Sequence, residues 1–81
     1  MTDYTLLRIP AVCQETGKSR SSQYNDIKAG LMTQPVRVGR GAVGWPAGEV
    51  RQIVQARIAG KSEDQIRQLV ANLHAARQVA A

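Results

Sequence analysis

The chain is poor in the residues that most often carry chemistry. It has one cysteine, Cys13, and one histidine, His74. A single cysteine excludes an internal disulfide and a zinc site built on cysteines, and a single histidine excludes ligation by a histidine pair. Aromatic residues are also scarce: one tryptophan, two tyrosines and no phenylalanine. That leaves little to stack against bases, which counts against a single-strand or RNA platform. The longest apolar runs are a few residues, far short of the ~20 needed to cross a bilayer. No basic region followed by a long apolar stretch opens the chain, so neither a signal peptide nor membrane contact is expected, and the expected compartment is a reducing cytoplasm. The carboxylates Asp3, Glu15, Asp26, Glu49, Glu63 and Asp64 show no pairing suited to acid–base catalysis. There is no nucleophile–base arrangement and no phosphate loop. Enzymatic activity, a metal and a cofactor are therefore not expected.

What is present is a basic, folded chain. Its 81 residues make one small domain, which buries only ~60–65% of the surface of its unfolded form, so the core is thin. Hydrophobic residues at 43% and charged residues at 21% exclude wholesale disorder. The formal net charge is +5 and the pI about 10.2. So basic a balance points to a polyanionic partner, of which nucleic acid is the commonest. The charge is unevenly spread. Between Gly17 and Gly41 stand Lys18, Arg20, Lys28, Arg37 and Arg40 against Asp26 alone, which places +4 of the net +5 in that window.

The hydrophobic pattern divides the chain into short elements. Leu6, Leu7 and Ile9 form an apolar stretch expected to be extended. Pro10 suits the first position of a helix over 11–16, closed by Gly17. Ser19 is a candidate N-cap for a second helix over 20–28 or 20–29, ended by Gly30. Tyr24 and Ile27, three apart, are expected to face the core. Val36 and Val38, then Val43 and Trp45, alternate on either side of Gly39-Arg40-Gly41, the pattern of a β-hairpin. Pro46 opens a third helix to about residue 59, with Val50, Ile53, Val54 and Ile58 on one face. Ser62 and Gln65 have the spacing of a capping box for a fourth helix over 62–80. Ile66, Leu69, Val70 and Leu73 give it an apolar stripe.

The fold class is thus mainly α with a small β-hairpin: a winged helix-turn-helix over 1–60 and an additional C-terminal helix over 61–81. In such a design the second helix enters the DNA major groove and the wing lies on the backbone or minor groove. Arg20 can pair bidentately with guanine, and Gln23 and Asn25 with adenine. Ser19, Ser21 and Ser22 can donate to phosphates, and Lys18, Lys28, Arg37 and Arg40 supply charge. Asp26 is a counter-signal: it would repel phosphate if it faced DNA, so it belongs near the edge of that face or beside a basic neighbour.

Leu6-Leu7-Arg8-Ile9-Pro10, then 16–24 (Thr-Gly-Lys-Ser-Arg-Ser-Ser-Gln-Tyr), then Pro35-Val36-Arg37-Val38-Gly39 and Ala42-Val43-Gly44-Trp45 resemble the AlpA family of small phage and prophage regulators. The resemblance covers 6–59. It implies a winged helix like those of MerR-type regulators and phage excisionases, and it implies DNA binding through the second helix and wing. Regulation of mobile-element genes is the role it implies first, and excisionase activity, with bending of attachment-site DNA, is the alternative. RNA polymerase or an integrase would then be a partner. The chain departs from the family at Lys18 and Gln23, where apolar residues are usual, and at Asn25 and Asp26, where an Arg or Trp precedes an apolar residue.

Other residues read as structural. Trp45 and Tyr24 are expected in the core, Cys13 as a small core residue of the first helix, and His74 as solvated. The stripe Ile66, Leu69, Val70 and Leu73 either folds back on its own domain or pairs with another protomer. A single winged helix reads a short site, so a homodimer or a cooperative multimer on DNA is expected, with this stripe as the oligomerisation element. The expected function is a double-stranded DNA-binding transcription regulator of a mobile element, located with the nucleoid. From a different class, the same basic face could bind an acidic protein.

Overall fold

A computed structural model describes residues 5–79. The elements are β1 (Leu6–Leu7), α1 (Ile9–Thr16), α2 (Arg20–Ala29), β2 (Val36–Gly39), β3 (Ala42–Pro46), α3 (Ala47–Ile58) and α4 (Glu63–Val79). The expected class is observed: four helices and a small antiparallel sheet. Two details differ. The first helix starts at Ile9, ahead of Pro10, and the hairpin gains a third strand, because β1 pairs with β3 to give the order β1-β3-β2.

Local chemistry sets the boundaries. Gly17 takes a left-handed φ of 74° and returns its N–H to Cys13 O at 2.8 Å, closing α1. Two residues later the Ser19 hydroxyl accepts from the Ser22 N–H at 3.2 Å and opens α2. This is the tight turn of the helix-turn-helix. Gly30, at φ 78°, ends α2, and the Leu31 N–H returns to Asp26 O at 2.8 Å. Ser62 and Gln65 form the reciprocal capping box at the head of α4: the Ser62 N–H donates to Gln65 Oε1 at 2.9 Å and the Gln65 N–H to Ser62 Oγ at 3.2 Å. Gly44 in β3 suits a close approach, since a Cβ there would lie 3.2 Å from Leu6 Cβ and 3.3 Å from Leu7 O and its neighbours would have to give way.

The core joins all four helices and the sheet. Val12, Leu31, Met32, Trp45, Val50 and Ile53 form it together with Ile66, Val70 and Leu73 of α4, and Leu69 packs against its margin. The expectation that the α4 stripe is an oligomerisation surface is therefore corrected: Ile66, Val70 and Leu73 are buried within their own chain and Leu69 is half-buried. The core is thin, and α4 supplies a third of its buried residues. Ile58 also departs from expectation, lying 80% exposed at the end of α3.

Trp45 is the centre of the core. It is fully buried, and its indole N–H donates to Thr33 O at 3.0 Å. Its ring meets that of Tyr24 edge to face, with centroids 6.4 Å apart. Trp45→Ala is expected to cost about 3–5 kcal/mol, most of the stability available to a small domain. Urea denaturation followed by circular dichroism measures it.

Candidate nucleic-acid interface

Each turn of α2 rotates side chains by about 100° per residue, so the identity of its inward residues decides which face is presented. Gln23 is fully buried, Asp26 is 9% exposed and Ile27 is half-buried. Arg20, Ser21, Tyr24, Asn25 and Lys28 are exposed, with Tyr24 at 38%. Arg20, Tyr24 and Lys28 follow one another at i, i+4 and i+8 along that outer face, with Ser21 and Asn25 beside them.

Gln23 is thus a correction. Its amide Nε2 donates to the Thr16 hydroxyl inside the helix-turn-helix, so it cannot reach a base edge from this position. Tyr24 is a correction in the opposite direction: it packs on Trp45 but presents part of its ring on the outer face. The signal for this was in the spacing, because Tyr24 lies one turn beyond Arg20. Lys18 is half-buried and its ammonium is 2.8 Å from Asp26 Oδ2. Arg57 of α3 reaches the same oxygen at 3.4 Å. Asp26 is therefore the inward, paired carboxylate, and it does not confront the outer face. Ser19 is exposed and Ser22 half-buried; both hydroxyls are engaged at the head of α2, with Ser19 Oγ donating to Ser22 Oγ at 3.1 Å.

The hairpin meets α2 where Trp45 packs against Tyr24. Arg37 pairs with Val43 across the β2–β3 ladder. Residues directly opposite each other point to the same side of a sheet, and residues two apart on one strand do so too. Arg37 and Val43 hence share a sheet side with Trp45, the side on which Tyr24 of α2 rests. Arg40 occupies the turn before Gly41, whose φ of 69° requires glycine. Both arginines are exposed.

The ion pairs sort the charges. Among the described residues every carboxylate is engaged: Glu15 by Arg51, Asp26 by Lys18 and Arg57, Glu49 by Arg77, and Glu63 and Asp64 by Arg67. The cations without such a partner among the described residues are Arg8, Arg20, Lys28, Arg37, Arg40 and Lys61. Four of these six lie on α2 and the hairpin. Positive charge that the fold does not use is left where a polyanion would find it. The described residues hold no cluster of His, Cys, Asp or Glu suited to a metal, and no helix among them is long and apolar enough to cross a membrane.

His74 departs from expectation as well. Its Nε2 accepts from the Gln34 backbone N–H at 3.0 Å across 40 residues of sequence, so it is a tertiary contact of α4.

Comparison with known proteins gives one family. The model of the family described as Prophage CP4-57 regulatory protein (AlpA) matches residues 5–58. No curated protein and no solved structure matches. The matched segment holds α1, α2, the sheet and α3, and ends before α4.

The inward assignment of Gln23 is testable. Gln23→Leu replaces a buried amide whose Oε1 has no hydrogen-bond partner. It is expected to leave stability unchanged or raise it by about 1 kcal/mol. Thermal melts check this, and fluorescence anisotropy checks that duplex-DNA affinity stays at its wild-type value.

Proposed function

The chain belongs to the AlpA family of prophage regulatory proteins, and from that premise we propose that it is a sequence-specific double-stranded DNA-binding transcription regulator of a bacterial mobile element. The observation that carries the reading is the sorting of charge just described: the cations left over by the fold concentrate on α2 and the hairpin.

In this reading α2 enters the major groove by its outer face. Arg20, at its first turn, takes the two acceptors of a guanine, and Asn25 pairs with an adenine. Ser19, Ser21 and Ser22 lie at the head of the helix, where hydroxyls and the positive end of the dipole suit phosphate. Tyr24 and Lys28 extend the contact along the groove. Arg37 and Arg40 carry the wing onto the flanking backbone, adding affinity and salt dependence without reading sequence. Lys18 supports this surface by neutralising Asp26 beneath it. The apolar stripe of α4 is used internally, so assembly of copies on DNA would use another surface.

Capture of fragmented host DNA at ~150 mM salt, where most non-specific phosphate binding is lost, followed by sequencing, tests the proposal. Enrichment of a few loci is expected. Promoter positions would assign a transcription regulator, and attachment-site arms would assign an excisionase instead. No enrichment over input would overturn base reading and leave an acidic protein as the partner of the basic face. On a captured site, Arg20→Ala is expected to cost about 1–3 kcal/mol and relax specificity. Arg40→Ala is expected to weaken all sequences alike and reduce the slope of log K against log salt by about 1. Titrations at several salt concentrations check both.

A further inference from the structure

The segment between α2 and β2 is held by Trp45, whose indole N–H donates to Thr33 O, and also from beyond the matched family residues, which end at 58. It leaves α2 at Gly30 and reaches β2 at Val36. Within it Met32 is 2% exposed and Thr33 fully buried, so it is a built part of the interior. Three side chains of α4 take its backbone polar groups. Arg67 Nε donates to Ala29 O, the last residue of α2, at 2.9 Å. His74 Nε2 accepts from the Gln34 N–H at 3.0 Å, and Arg77 Nη2 donates to Gln34 O at 2.7 Å. Positions 67, 74 and 77 fall on one side of a helix. Arg77 is itself held by both oxygens of Glu49 on α3, at 2.6 and 2.8 Å.

Ile66, Val70 and Leu73 bury the apolar face of α4 against the domain, and the Arg77–Glu49 pair ties it to α3. The polar contacts are aimed at backbone, at the two ends of the segment that joins the recognition helix to the wing. A fixed segment gives a fixed relation between the two surfaces that must meet one duplex together.

We infer that Arg67, His74 and Arg77 are positioning residues, which through the backbone at Ala29 and Gln34 hold the wing in a set relation to α2 so that both engage DNA at once. The inference rests on the DNA-binding reading above. Loss of the strut removes no cation of the outer face. A non-specific complex needs no fixed register between α2 and the wing, so affinity for any duplex survives, while part of the added affinity for the right site is lost.

The test uses the full chain and two probes, the host DNA fragments retained by the wild type and a random-sequence duplex. His74→Leu keeps the packing and loses the acceptor. Arg77→Lys keeps the charge and loses the forked reach to Glu49 and Gln34. Each is expected to weaken binding to the retained fragments about tenfold and leave the random duplex within about twofold. His74→Gln, whose amide oxygen can accept from the Gln34 N–H, is expected to restore the preference. Wild-type affinity for the retained fragments in both variants would overturn the inference. So would an equal loss on both probes, which marks a purely structural role. Failure of the wild type to retain any fragment is read without a variant, and it would remove the DNA reading and the inference together.

Discussion

The burial of Asp26 fixes the way α2 faces. An ionised carboxylate withdrawn from water is costly unless it is paired and hydrogen-bonded. Its partners here come from two directions, Lys18 in the turn before α2 and Arg57 on α3. Rolling the helix by one residue would unpair the carboxylate and turn it toward the outer surface. With Asp26 inward, Gln23 and Ile27 follow it into the interior by helical periodicity, and Arg20, Tyr24, Asn25 and Lys28 are left outside. A negative side chain in the most basic stretch of the chain thus orients that stretch.

The rest of the molecule holds this orientation with very little core. Trp45 joins the sheet to α2 through Tyr24 and to the following segment through Thr33 O. The paired Glu49 and Arg77, with side chains 10% and 26% exposed, tie α4 to α3. Removing one partner of such a pair strands the other, so the two act as a unit. The remaining pairs among the described residues, Arg51 with Glu15 and Arg67 with Glu63 and Asp64, are exposed and add little stability on their own. Their consequence is electrostatic: they cancel charge on α1, α3 and α4.

The elements were legible because their punctuation was strong. Gly17 with Ser19, Gly30, and Ser62 with Gln65 each carry a local hydrogen-bonding reason to stop or start a helix, and the alternation around Gly39-Arg40-Gly41 carried the hairpin. The third strand was not legible, since β1 is two residues long and pairs with β3 across nearly 40 positions. The facing of α2 was misread for a definite reason. Its inward arc carries Gln23 and Asp26, so a reading that sends apolar residues in and polar residues out assigns Gln23 to the groove and Tyr24 to the core. The departures from the AlpA pattern held the needed signal: Lys18, Gln23 and Asp26 stand where apolar residues are usual, and the structure pairs Lys18 with Asp26 and Gln23 with Thr16. The fate of the α4 stripe was illegible in sequence, because an apolar stripe does not state whether its own core or a second copy covers it. His74 and Arg77 gave no local sign of partners that lie 40 and 43 residues away.

Amide shift mapping tests most directly whether duplex DNA meets the outer face of α2 and the hairpin. The isotopically labelled full chain would be titrated with duplex DNA and its backbone resonances followed. The account predicts that perturbations gather on the outer face of α2, at Arg20, Ser21, Tyr24, Asn25 and Lys28, and on the hairpin around Arg37 and Arg40. Perturbations centred on the exposed side of α4 or on Ile58 and its surroundings, with α2 and the hairpin unmoved, would contradict it.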